Sequence, residues 1–343
     1  MLTIYSEDHR KRDAKTELYG GELIPPFEKP ARMDFILDRL HAENLGEIVA
    51  PRDFGLDPIL AVHDRDYVKF LENCWHEWAA EGMGGEAIVT TWPARRMQQR
   101  CPVHIDGKLG YYAMAAETSI TEGTWDAARA SANVALEGAE RLAAEKSVFS
   151  LCRPPGHHAA LDMFGGYCFF NNAALATQSI LNQGAERVAI LDVDFHHGNG
   201  TQDIFYTRDD VLFISLHGAP EDAFPHFLGY ADETGEGIGE GFNLNFPLPP
   251  GTPFGPWQDA LKQALEAISN YGPEALVISL GTDTFERDPI SFFKLTSADF
   301  FTYGQDIAQL GLPTLFVMEG GYAVEEIGVN AVNVLQGYED ASH

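Results

Sequence analysis

The sequence of 343 residues predicts a single α/β domain, a doubly wound parallel sheet flanked by helices. Three observations carry that prediction. Five apolar, strand-like runs alternate with stretches of helical periodicity over much of the chain. Each run ends in glycine accompanied by His, Asp or Tyr. No linker, repeat or low-complexity tract separates one part from another, so residues 1–343 are read as one domain.

Taken in order, residues 2–5 predict a short strand, followed by a polar loop through Gly20-Gly21 and Pro25-Pro26. A helix is expected over 30–43, with Phe35, Ile36, Leu37 and Leu40 apolar, and another over 64–78, with Tyr67, Phe70, Leu71 and Trp75 at helical spacing. From 79 to 112 the character changes. Gly82, Gly84, Gly85, Pro93, Pro102, Gly107 and Gly110 interrupt Trp92, Arg95, Arg96 and Arg100, predicting a long irregular segment. An alanine-rich helix is expected over 124–146, and further helices over 173–182, 257–271 and 299–309.

The five runs share one design. Residues 148–151 lead into Arg-Pro-Pro-Gly-His-His, and 188–191 into Asp-Val-Asp-Phe-His-His-Gly-Asn-Gly. Residues 211–216 lead into His217-Gly218, 275–280 into Gly281-Thr282-Asp283, and 314–318 into Glu319-Gly320-Gly321-Tyr322. Open parallel sheets bind ligands beyond the carboxyl ends of their strands. Side chains two apart on an extended strand share a face, which groups Asp192, Asp194 and His196. Two carboxylates and an imidazole converging there suit a divalent metal, because unpaired buried carboxylates are costly.

Composition excludes several classes. A hydrophobic fraction of 45% with 22 phenylalanines points to a folded globular protein. A formal net charge of −28 argues against nucleic acid or an anionic membrane as partner; by itself it fits a cationic substrate and equally a surface that serves only solubility. Cys74, Cys101, Cys152 and Cys168 form no C-x-x-C pair, so no zinc knuckle or redox motif is indicated. No signal-like start or long apolar run is present, and a cytoplasmic location is expected.

These motifs, together with Gly-Gly-Tyr-Cys-Phe-Phe-Asn-Asn (165–172) and Ser-Leu-His (215–217), resemble those of the arginase–deacetylase superfamily. The resemblance runs over nearly the whole chain, in the family's order, and is to histone deacetylase-like zinc amidohydrolases, most of all the acetylpolyamine amidohydrolases. It implies one Zn2+ held by Asp194, His196 and Asp283, a site that Fe(II), Co(II) or Mn(II) could also fill. It further implies His158 as general base and then acid, His157 as its electrostatic partner, and Tyr322 as donor to the developing oxyanion. Asp192 is expected to orient His157, and Asn199 to orient His158. His197 and His217 are read as structural. Tyr167 and Phe224 match the aromatic walls of the family's substrate tunnel.

The resemblance also implies a structural monovalent cation, K+ by expectation, at Asp192, Asp194, Ser215, His196 and Leu216, with a second site near Phe205 and Val211. The 79–112 segment is expected to narrow the entrance and to form contacts of a homodimer. Glu17, Asp106 and Glu117 are the acidic candidates for reading a substrate ammonium; the family carries Glu where this chain has Asp106. A small cationic acetylated amine, of the acetylputrescine, acetylcadaverine or acetylspermidine type, is the expected substrate. The alternative in the same family is a protein or peptide lysine deacetylase. An arginase-type ureohydrolase would need a second set of metal ligands, and a catalytically silent binding protein would have no use for His158 and Tyr322.

Overall fold

A computed structural model describes residues 1–342. In chain order the elements are β1 (Leu2–Ile4), β2 (Glu17–Tyr19), β3 (Glu22–Ile24), α1 (Ala31–Glu43), β4 (Ile48–Val49), α2 (Asp57–Leu60), α3 (Arg65–Ala80) and α4 (Ile105–Tyr112). Then follow α5 (Thr124–Glu145), β5 (Ser147–Ser150), α6 (Asn172–Asn182), β6 (Val188–Asp192), α7 (Asn199–Phe205), β7 (Val211–Gly218) and β8 (Asn243–Leu248). The chain closes with α8 (Phe254–Tyr271), β9 (Ala275–Leu280), α9 (Ser297–Ala308), β10 (Thr314–Met318) and α10 (Ile327–Ala341).

Eight strands form one parallel sheet in the order β4-β1-β5-β10-β9-β6-β7-β8. Alternate residues of each central strand enter opposite layers. Val188 and Ile190 pack with α3, α5 and α6, whereas Ala189 and Leu191 pack with α1, α8, α9 and α10. Burial on both faces is why these strands read as unbroken apolar runs.

The winding reverses between β6 and β9. From β6 the chain proceeds outward through β7 and β8, then returns to β9 and steps the other way to β10. Between such neighbours the loops at the carboxyl ends diverge and leave a crevice. Asp194 and His196 follow β6, and Asp283 follows β9, so the predicted ligands straddle this point.

The structure corrects several expectations. The 79–112 segment is not irregular throughout, since α4 occupies its last turns with the His104 side chain capping the Asp106 N–H. The loop after β1 contains a hairpin, β2–β3, whose two-residue turn Gly20-Gly21 has φ of +59° and +86°, values that glycine adopts without strain. Helices α7 and α10 and strand β8 were not among the expected elements, although α10 buries Ile327, Ala331, Val334, Leu335 and Tyr338 at helical spacing. In α1, Phe35 is exposed, and Arg32 instead shares the buried face with Ile36 and Leu40.

Candidate active site

The carboxyl ends of β5, β6, β9 and β10 surround one cavity of about 360 Å3, lined among others by His158, Tyr167, His196, Phe224 and Tyr322. Asp194, His196 and Asp283 are buried beside it, with candidate ligand atoms all within 4.8 Å of one another. Among the described residues no other such grouping of three occurs.

The donor set tests well for a divalent cation. His196 Nδ1 lies 2.9 Å from an Asp283 oxygen and 3.4 Å from an Asp194 oxygen. Burial disfavours charge on His196, yet the two carboxylates override it and raise its pKa to about 10. Burial, with Asp194 close by, pushes Asp283 up to about 7. That is the electrostatic field of a site that attracts cations. One nitrogen and two oxygen donors also leave coordination positions open, as a catalytic metal needs.

The tandem histidines are adjacent in sequence and their rings meet at a tilt, with centroids 4.1 Å apart, yet their environments diverge. His157 Nδ1 meets Asp192 at 2.9 Å. Burial opposes its charge, but Asp194 and Asp192 hold its pKa well above the ordinary range. His158 Nδ1 meets the neutral Asn199 Oδ1 at 2.6 Å. Burial, then the charges on His157 and His196, push His158 well below the ordinary range. An Nδ1–H donating to Asn199 leaves Nε2 as the lone-pair nitrogen. The turn before them is anchored by Glu319, which accepts from the Gly156 N–H at 2.6 Å and the His157 N–H at 3.1 Å.

Tyr322 follows two glycines after β10. Gly321 has φ of +125°, and a Cβ there would sit 2.1 Å from Thr282 Oγ1, so the turn closes only with glycine. The buried Arg32 guanidinium donates to the carbonyls of Gly321 at 2.8 Å and Glu319 at 2.5 Å, and lies 5.1 Å from the Tyr322 ring centre. Burial raises the Tyr322 pKa well above that of a free phenol, so the hydroxyl remains a donor at neutral pH.

Tyr167 and Phe224 face the cavity from different loops. Tyr167 has φ of +66°, uncommon for an aromatic residue, and its N–H is held by Thr118 Oγ1 at 2.7 Å. Its hydroxyl donates to Glu17 at 2.8 Å, and the Phe224 ring meets His158 edge-on at 5.1 Å. Glu17 is buried and its pKa is raised by that burial. Glu117 is half-buried and accepts from the Gly166 N–H at 2.7 Å and the Thr118 hydroxyl at 2.9 Å.

Not every candidate converges. Asp106 is absent from the cavity lining and accepts instead from Thr90 at 3.4 Å, in the first turn of α4. His197 and His217 lie outside the cavity with tilted rings 4.6 Å apart; His217 Nε2 meets the Gly229 carbonyl at 2.8 Å and His197 meets Gln202 at 3.0 Å. Of the residues named for a monovalent cation, Asp192 and Ser215 are register partners across β6 and β7, whereas Phe205 ends α7 and Val211 begins β7.

Sequence reasoning missed Arg32, Glu28, Asp222, His226, Asp288 and Ile290. Arg32 had a signal, since it stands four and eight residues before Ile36 and Leu40, an arginine in an apolar stripe. Glu28 pairs with Arg32 at 3.2 Å and Arg153 at 2.7 Å, joining the Tyr322 turn to the histidine turn. Asp222, His226 and Ile290 line the cavity from loops whose sequence carries no motif.

A model of the histone deacetylase domain matches residues 26–338. The chain is 59% identical over 338 residues to the acetylpolyamine amidohydrolase of Mycoplana ramosa, covering 98% of this chain and 99% of that protein. It is 59% identical over 340 residues to acetylpolyamine amidohydrolase 2 of Pseudomonas aeruginosa, covering 99% of each. The crystal structure of an acetylpolyamine aminohydrolase from Burkholderia pseudomallei superposes with a TM-score of 0.95 at 37% identity, over 99% of both chains. With the eight-stranded sheet and the cluster at its switch point, these likenesses make the chain a hydrolytic enzyme that belongs to the histone deacetylase domain family.

Proposed function

We propose that this enzyme hydrolyses the amide of N-acetylated polyamines to acetate and the free amine, using one zinc ion. The observation that carries the reading is the shape and charge of the cavity. It is small, walled by Tyr167 and Phe224, carries Glu17 and Glu117 in its lining, and also reaches His158, His196 and Tyr322. A slender cationic chain matches such a channel, with its ammonium near a carboxylate and its amide near His158.

Asp194, His196 and Asp283 would hold the zinc, which supplies Lewis acidity toward a carbonyl oxygen and lowers the pKa of water. His158, kept neutral by burial and by the charges on His157 and His196, and held by Asn199 at Nδ1, takes a proton from the attacking water at Nε2 and delivers it to the leaving nitrogen. His157, kept cationic between Asp192 and Asp194, holds its proton and adds positive charge beside the reacting centre. Tyr322 donates its hydroxyl to the oxygen on which negative charge grows. The aromatic walls exclude water along the methylene chain.

We extend the reading to a structural K+ near Asp192, Asp194, His196, Ser215 and Leu216, supported by the register pairing of Asp192 with Ser215, and to a second near Phe205 and Val211. A homodimer is supported by apolar side chains on the segment before α4, where Val103 is 92% and Met97 61% exposed. No helix among the described residues is long and apolar enough to cross a membrane; a cytoplasmic location is part of the same proposal.

The decisive experiment compares kcat/KM for N-acetylputrescine and an acetyl-lysine tetrapeptide on the metal-loaded enzyme. N-acetylputrescine is expected to win by at least tenfold. Equal or better use of the peptide would overturn the substrate reading and leave the hydrolytic chemistry standing, in favour of a lysine deacetylase.

A further inference from the structure

One buried carboxylate touches the site without belonging to any of its expected parts. Asp288 lies in the loop between β9 and α9 and is 7% exposed. One of its oxygens accepts from the N–H of Tyr322 at 2.7 Å and of Ala323 at 3.2 Å. The other accepts from the N–H of Ile290 at 3.1 Å. Both Tyr322 and Ile290 line the substrate cavity. Asp288 makes no ion pair with any described Lys, Arg or His. Burying a carboxylate without a counter-ion is expensive, and here the compensation comes from three backbone donors, two of them in the walls of the site.

The Tyr322 turn needs such an anchor. It follows Gly320 and Gly321, which have no side chains to pack; Asp194 accepts from the Gly320 N–H at 2.9 Å, and Arg32 donates to the Gly321 and Glu319 carbonyls and lies against the Tyr322 ring. Asp288 secures the N–H groups on the following side. The phenol is a long lever, so a small backbone rotation displaces its hydroxyl far more than its Cα. An oxyanion donor must sit within a few tenths of an ångström of its productive distance, and misplacement by about 1 Å can cost roughly 10²-fold in rate.

We propose that Asp288 is a positioning residue for catalysis: by gripping the Tyr322 and Ala323 amides it sets where the Tyr322 hydroxyl meets the reacting carbonyl, and through Ile290 it ties that hydroxyl to the cavity wall. The inference rests on the role proposed above for Tyr322. Asp288→Asn keeps the volume but offers the three amides one acceptor oxygen and an NH2 group, so the turn loosens while the cavity stays filled.

The test is a double-mutant cycle of Asp288→Asn with Tyr322→Phe, with zinc content measured in every variant. Asp288→Asn alone is expected to lower kcat by on the order of 10- to 100-fold, with KM within about threefold and zinc retained. Affinity for a trifluoromethyl ketone substrate analogue, whose hydrate mimics the tetrahedral state, falls in parallel with kcat. In the Tyr322→Phe background the same substitution should cost less than about threefold, because the hydroxyl it positions is gone. A slowed Tyr322→Phe enzyme in which Asp288→Asn costs its full factor again overturns the positioning role alone. A Tyr322→Phe enzyme of normal kcat overturns the oxyanion reading and this inference with it. Asp288→Ser, which keeps one hydroxyl acceptor, carries the same cycle if the Asn variant does not fold. Loss of folded, zinc-bearing protein in both shows a structural role and overturns the proposal.

Discussion

The floor and the rim of the cavity are built on different principles. The floor comprises Asp194, His196, Asp283, the tandem histidines and Tyr322, all set just past the ends of central strands and nearly sealed from solvent. The rim comprises the β2–β3 hairpin with Leu18 and Tyr19, Glu117, and the loop carrying Asp222, Phe224 and His226. Leu18, Tyr19 and Asp222 are exposed, and Glu117 is half-buried. A strand end in a packed sheet offers one fixed direction per side chain, which metal ligation and proton transfer require. A loop offers reach and adaptability, which suits reading a flexible chain. Chemistry sits where the scaffold is rigid, and selectivity sits where it can vary.

The contrast is broken most severely by removing a ligand. Replacing Asp194, His196 or Asp283 with Ala should leave no measurable turnover and far less than one zinc per chain. Full metal stoichiometry by elemental analysis in any of the three would strike that residue from the ligand set.

A second break comes from behind the floor, where Glu28 joins Arg32 and Arg153. Burial alone would raise the Glu28 pKa, but Arg153, Arg32 and Arg12 outweigh it and bring it down to about 2. A depressed carboxyl pKa stabilises the fold above its unfolded value of about 4.3, and that stabilisation is lost as pH falls through the folded value. The gap in unfolding midpoint between the parent enzyme and Glu28→Gln should therefore be widest above pH 4.5 and close toward pH 2. A gap independent of pH over that window would show that Glu28 acts by packing and not by charge.

The two histidines offer a finer cut within the floor. In the proposed role of general base, His158 must be neutral to accept a proton, so activity should rise as pH passes its lowered pKa. In Asn199→Asp the new carboxylate favours the imidazolium, and the acid limb of kcat/KM should move to higher pH by on the order of one unit. An unmoved limb would assign it to another group.

The smallest effect belongs to the rim. A carboxylate that meets the substrate ammonium equally in ground and transition states contributes to KM alone. Glu117→Gln should raise KM for acetylputrescine on the order of tenfold, with kcat within about twofold and a weaker dependence of kcat/KM on salt. A fall in kcat with unchanged KM would move Glu117 from the rim to the floor.

Legibility followed the same division. The floor could be read because a doubly buried strand writes itself as a continuous apolar run, and the residues just beyond it are placed by the strand. Asp194 and His196 lie just past the end of β6, where the chain bends instead of continuing as strand, and Asp283 follows β9, the neighbour of β6. The pairs His157–Asp192 and His158–Asn199 were expected from the resemblance, and the structure brings both within hydrogen-bonding distance. The rim was read in part. Glu17, Glu117, Tyr167 and Phe224 line the cavity, whereas Asp106 lies outside it and Asp222 and His226 were not singled out.

The sequence by itself determined the fold class, the central strands and the identity of the groups at their ends, because burial and the strand repeat act locally and leave a periodic trace. Only the tertiary structure decided which acids line the cavity, how the Tyr322 turn is held between Arg32 and Asp288, and why adjacent histidines differ in proton affinity. Those outcomes depend on partners far apart in sequence: 289 residues separate Arg32 from Gly321, and 34 separate Asp288 from Tyr322. A side chain's charge, exposure and aim are set by what folds against it, and no local pattern encodes that.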